Sequence, residues 1–96
     1  MSPTDPVVDP AETLRRFFSP DGRLHTMPTK HVKRQWVLDR IAQRFEPGLT
    51  YAEREVDAVL KEIHDDHAAL RRYLVDGGYL TREDNVYWRS GGTVEV

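Results

Sequence analysis

With 96 residues the chain has room for one domain around a single compact core, and with no cysteine it excludes disulfides and thiolate metal sites. No apolar run approaches the roughly 20 residues of a membrane span, and the leading MSPTDPVVDP has neither the basic nor the apolar region of a signal peptide, which predicts a cytoplasmic protein with no membrane partner. The net charge of −2 is not that of a uniformly basic nucleic-acid binder, yet segments 1–14, 15–34, 35–66 and 67–96 carry −3, +5, −4 and 0, so positive charge is gathered in one place.

Residues 1–8 hold Pro3 and Pro6 and few large apolar groups, which predicts a disordered lead. Asp9-Pro10-Ala11-Glu12 then reads as a helix start: Asp9 as cap, Pro10 at the first helical position and Glu12 completing a capping box. This helix is expected to run to about Phe18, with Leu14, Phe17 and Phe18 on its apolar side. Ser19-Pro20-Asp21-Gly22 is a turn by composition. Arg23–Met27 alternates weakly and reads as a short strand or extended segment. Pro28 biases Met27 away from the helical region, leaving Thr29 as a cap for the next helix.

Lys30–Phe45 is the longest predicted helix. Leu38, Ile41, Ala42 and Phe45 fall at i, i+3, i+4 and i+7, with Val32 and Trp36 extending the apolar surface toward its start. Pro47-Gly48 ends it, and Thr50-Tyr51 is an extended connector or a cap, since Thr50 and Glu53 have capping-box spacing. Ala52–Ile63 repeats the stripe through Val56, Val59, Leu60 and Ile63, with Glu53, Glu55 and Asp57 at the positive end of its dipole.

His64-Asp65-Asp66 leaves almost no linker before the next helix, which is the spacing of a helix-turn-helix. Asp65 or Asp66 caps that helix, and Leu70 and Leu74 form its buried seam. Gly77-Gly78 stops it, with Gly77 the expected left-handed residue. Tyr79–Arg82 and Val86–Arg89 are β-prone runs around a Glu83-Asp84-Asn85 turn, while Ser90-Gly91-Gly92 looks like a flexible exit. The predicted fold is therefore mainly α, of α+β type. It is a winged helix-turn-helix over residues 9–89 with an extra N-terminal helix and short strand, followed by a flexible tail at 90–96.

Seven cations are the candidate DNA contacts. Arg71 and Arg72 lie on the second helix of the predicted helix-turn-helix, where arginine can take guanine edges or phosphates; being adjacent, they point about 100° apart and cannot share one job. The other reading for either is an aromatic or ionic partner, Tyr73 or Tyr87, Asp66 or Asp76. Lys30, Lys33 and Arg34 sit at the start of the long helix, where amides and cations together suit phosphate; Arg82 and Arg89 fall on the wing. Asp65 and Asp66 oppose them, because carboxylates at the start of a reading helix repel phosphates. Trp36, Trp88, Tyr79 and Tyr87 read as core and wing packing rather than as a base-stacking platform. His64, Asp65, Asp66 and His67 include metal-ligating types, but the histidines straddle a predicted helix break, so no metal and no cofactor is expected. There is no glycine-rich phosphate loop and no nucleophile elbow, which argues against an enzyme.

Gly22-Arg23-Leu24, Pro28, Lys33-Arg34, Phe45-Glu46-Pro47-Gly48, Tyr51-Ala52-Glu53 and Glu55-Val56 occur in order, followed by His64-Asp65-Asp66, Leu70-Arg71-Arg72, Leu74-Val75-Asp76, Gly78 and Tyr87-Trp88-Arg89. Over roughly Thr13–Arg89 the chain resembles the bacterial domain of unknown function 2087. That resemblance implies a domain found alone or fused to bacterial helix-turn-helix regulators and associated with transcription control. Ala69-Leu70-Arg71-Arg72, Leu74 and Gly78-Tyr79-Leu80-Thr81-Arg82 also look like the recognition helix and first wing strand of sugar-operon repressors, with Ala69 and Tyr73 in place of that group's polar residues. The expected function is double-stranded DNA binding in transcription regulation, as a homodimer or with a partner regulator. The alternative is a winged-helix module that binds protein and makes no direct DNA contact.

Overall fold

The computed structural model describes residues 10–93. Among these residues four helices and three strands follow in the order α1 (Pro10–Phe17), α2 (His31–Ala42), β1 (Thr50–Ala52), α3 (Glu53–Ile63), α4 (His67–Asp76), β2 (Leu80–Glu83) and β3 (Val86–Arg89). The sheet is antiparallel throughout, in the order β1-β3-β2. The lead at 1–8, the Asp9 cap and the end of the tail at 94–96 lie outside the described residues.

The core forms where the helical stripes meet the sheet. Val37, Leu38, Ile41 and Ala42 of α2, Val56, Leu60 and Ile63 of α3, and Leu70 and Leu74 of α4 are all buried, together with Leu24, Phe45, Leu80 and Tyr87. The spacing-based stripes of α3 and α4 enter this core, and so do Leu38, Ile41, Ala42 and Phe45 of the α2 stripe. Val32 does not extend it. It stands 55% exposed, on the side of α2 opposite Val37 and Ile41.

Arg23–Met27 is not a strand. Only Leu24 makes a bridge, to Phe18, because the Ser19–Gly22 turn folds the segment back onto the end of α1 and no second strand lies beside it. Leu24 is instead held by its amide, which donates to the Ile63 carbonyl at 2.7 Å, and by burial of its side chain. Thr29 does not cap α2. Lys30 takes the cap position with extended backbone and no side-chain capping bond, so it stands just outside the helix rather than in its first turn. At the other end, Arg44 and Phe45 donate to Ile41 and Ala42 in i→i−3 bonds, which tighten the chain out of α geometry three residues before the predicted end.

Thr50–Ala52 is a strand, with Tyr51 opposite Tyr87 and Ala52 opposite Val86. Ala52 then serves as the cap residue of α3. Alanine has no acceptor, so only the reciprocal half of a capping box forms, with Glu55 Oε1 accepting the Ala52 amide at 3.0 Å. At α4, Asp66 is the cap and accepts the Ala69 amide at 3.2 Å. The helix ends in a Schellman motif: Tyr79 N–H donates to Leu74 and Gly78 N–H to Val75. That geometry puts the left-handed residue at Gly78 (φ +80°), while Gly77 stays right-handed (φ −81°), the reverse of the sequence expectation.

Candidate nucleic-acid interface

α4 presents three different environments around its circumference. Leu70 and Leu74 face the core. Arg71 is turned toward α3, where its guanidinium pairs with Asp57 and lies 3.9 Å from Glu53. Arg72, next in sequence, is exposed, and among the described residues its side chain makes no hydrogen bond or ion pair. The 100° step of a helix thus gives the two arginines different work.

Arg71 belongs to a half-buried cluster. Burial pulls its proton affinity down, but the Asp57 hydrogen bond and the charges of Asp57, Tyr87 and Glu53 outweigh that and raise it above the usual arginine value. The Tyr87 hydroxyl donates to Glu53 Oε1 at 2.8 Å. Burial first, and then Glu53, push the Tyr87 phenol above its ordinary value of 10.0. Asp57 and Glu53 are spaced one turn apart on α3. Their place at the positive end of the α3 dipole is local to that helix; their use as Arg71 partners depends on how α4 lies on α3.

This cluster makes stability depend on alkaline pH. The folded Tyr87 value is raised, so the native state keeps its proton where the unfolded chain has lost it, and stability falls as pH rises past 10.0 toward the folded value. Urea unfolding across that range is expected to show a falling free energy, with a shallower fall in Tyr87→Phe. An unchanged slope in that variant would remove Tyr87 as its source. Tyr79, whose phenol is also raised, by burial and by Asp39, contributes in the same direction.

Lys30 and Lys33 lie at the start of α2, exposed and half-buried respectively. Arg34 is anchored. Its Nε donates to Pro28 O at 3.2 Å and its Nη2 to Thr29 O at 3.3 Å, and its guanidinium lies 5.2 Å from the Tyr73 ring centroid on α4. This contact brings the basic start of α2 beside α4, and Tyr79 Oη adds a 3.2 Å bond to the Gln35 carbonyl. Of the partners weighed for Arg71 and Arg72 beside DNA, the two rings are covered by other arginines, Tyr73 by Arg34 and Tyr87 by Arg82 at 5.9 Å, and Arg71 takes an ionic partner, Asp57 rather than Asp66 or Asp76.

On the wing, Arg82 is exposed and donates to the Asp84 carbonyl at 2.8 Å. Arg89 is turned inward. Its Nη1 donates to Ala42 O (3.1 Å) and Phe45 O (2.9 Å), Nε to Gly91 O (2.6 Å) and Nη2 to Thr93 O (2.6 Å). It closes the C-terminal end of α2, where carbonyls lack helical partners. Ser90-Gly91-Gly92, expected to be a flexible exit, leads into Thr93, which is held there too: Asp39 accepts from the Thr93 amide and hydroxyl at 2.7 and 3.0 Å.

The acids at the start of α4 are partly answered. Asp65 pairs with Arg23 at 2.8 Å, although its side chain stays 98% exposed. His64 Nδ1 lies 3.1 Å from Leu24 O, and the chain breaks helix between His64 and His67. Among the described residues no three His, Asp or Glu side chains gather as metal ligands, and no helix is long and apolar enough to cross a membrane.

No curated protein and no solved structure matches the chain. A family model described as an uncharacterized protein conserved in bacteria (DUF2087) matches residues 23–89. The matched segment opens beside the Leu24 bridge and closes at the end of β3, taking in α2, α3, α4 and the whole sheet and leaving α1 outside. By that match the chain belongs to this bacterial family.

Proposed function

We propose that the segment from α2 to β3 is a winged helix that binds double-stranded DNA as part of a transcription regulator. The helix, short strand, two helices and β-hairpin follow in the order that a winged helix requires, and β1 closes the hairpin into a sheet. The observation that carries the reading is Arg34 stacked on Tyr73, because it sets the basic start of α2 against the second helix of the helix-turn-helix. On this reading α4 enters the major groove with Arg72 outward, Lys30 and Lys33 take phosphates, and Arg82 does so from the wing. Arg34 orients, while Arg71 and Arg89 hold the frame. This is a binding function rather than a catalytic one, and a homodimer or a partner regulator supplies the remaining contacts.

Fluorescence anisotropy against a mixed-sequence duplex tests it. At about 50 mM salt the chain is expected to bind, and affinity should fall as salt rises. Arg72→Ala is expected to weaken binding by roughly tenfold, and Lys30→Ala with Lys33→Ala to flatten the salt slope by about 0.9 for each lost phosphate contact. No binding at low salt, or binding indifferent to salt and to Arg72→Ala, would overturn the reading. The exposed carboxylate of Asp65 favours a second reading, in which the same face docks a basic protein surface. Absence of duplex binding combined with a measurable self-association constant would support that one.

A further inference from the structure

A second concave surface lies away from the α4 face. α1 and the turn after it stand off from the C-terminal half of α2, leaving a groove of about 900 Å³. Leu14, Phe18, Pro20, Ile41 and Ile63 supply its apolar lining. Three arginines line it as well: Arg15 from α1, Arg40 from α2 and Arg44 from the turn after α2, all exposed. Arg44 is paired with Glu62 at 2.7 Å, while Arg15 and Arg40 make no ion pair among the described residues. Among the described residues no carboxylate lines the groove. Its volume is within the range of small-molecule sites, which runs to about 1,000 Å³.

We propose that this groove binds an anionic amphiphile: an aliphatic body on the apolar lining, with its carboxylate taken by Arg15 and Arg40. Both halves of the ligand follow from the lining. The floor of the groove is apolar, with Ile41 and Ile63 buried beneath it and Leu14 and Phe18 half-buried, and an apolar body suits such a lining. Three cations with no lining acid select the sign of its head group, and arginine offers a carboxylate two parallel donors. The Arg44–Glu62 pair is exposed on both sides and leaves Arg44 able to turn toward a bound anion. One wall, Leu14–Gly22, lies outside the family-matched segment and the other lies within it. It is independent of the DNA reading, since the groove shares none of the cations assigned to duplex contact.

The test is titration of the full chain with decanoate, below its micelle concentration, followed by calorimetry and by amide chemical shifts. One equivalent is expected to bind, with shifts confined to Leu14–Gly22, Arg40–Arg44 and Ile63. Shortening to octanoate should weaken binding by about threefold per methylene removed. Arg15→Gln with Arg40→Gln should cost about tenfold, and both sites are exposed, so the variant keeps its fold. Decyltrimethylammonium should bind at least tenfold more weakly than decanoate. Equal binding of the cation, no saturable binding, or shifts centred on Lys30–Arg34 would each overturn the proposal. So would a self-association that the arginine variant abolishes and decanoate leaves intact, because the groove would then belong to a second copy of the chain.

Discussion

Arg89→Met is expected to lower the free energy of unfolding by about 3 kcal/mol, the largest loss predicted for any exposed or half-buried side chain of the domain. The substitution keeps the aliphatic stem and removes the guanidinium. Four carbonyls lose a charge-assisted bond at once; Ala42 O keeps the Phe45 amide and Thr93 O keeps Gln43 Nε2, while Phe45 O, just past α2, and Gly91 O, after β3, are left with no donor among the described residues. Charge-assisted bonds exceed ordinary ones, and carbonyls left half-buried keep their desolvation penalty. For a domain of this size the loss corresponds to a midpoint lowered by about 15 °C. A thermal melt measures it. A fall in stability below about 0.5 kcal/mol would show that water replaces the guanidinium without penalty. Duplex affinity of the folded variant is expected to match that of the parent, whereas a wing arginine on phosphate would have produced the opposite pair of results.

Arg71→Met is expected to cost about 2 kcal/mol through a different route. Here the variant strands two acids rather than carbonyls. Asp57 and Glu53 lie on one face of α3, and Arg71 is the cation set between them and α4. With the arginine gone, two half-buried carboxylates repel one another, and the Tyr87 hydroxyl remains the donor to Glu53. Asp57→Asn in the Arg71→Met background should recover part of the loss, since it removes one of the stranded charges. Urea unfolding of the single and double variants gives the coupling directly. A double variant no more stable than Arg71→Met alone would show that the Asp57 charge carries no penalty once its cation is gone.

The helical skeleton was legible because its information is local. The stripes of α3 and α4, the Asp66 cap and the paired β-runs all follow from residues within a few positions of one another, and each appears in the structure near its predicted bounds. Features decided by distant partners were not legible. Thr50-Tyr51 reads as an extended connector or a cap, and only pairing with Val86–Trp88 makes Thr50–Ala52 a strand. Arg23–Met27 has the composition of a weak strand and lacks a neighbour to pair with. The same limit applies to the candidate site. Sequence singled out all seven cations, but Arg71 and Arg89 are committed inside the molecule by acids and carbonyls that adjacency could not reveal. One signal was available: Glu53 and Asp57 at i, i+4 place two acids on one side of α3, a pattern that asks for a cation as well as for a helix dipole.

Among the described residues the sheet has a single interior strand. β3 is paired on both sides, which leaves β1, of three residues, and β2, of four, as the two edges. An edge that short offers an incoming chain few unpaired backbone groups, and β2 adds the charged pair Arg82 and Glu83 along it. Strand addition, the route by which many sheets recruit peptides and by which misfolded copies join, therefore has little purchase here. Recognition by this domain is left to side chains on helices and at the hairpin tip, and the same bluntness protects it from edge-to-edge aggregation.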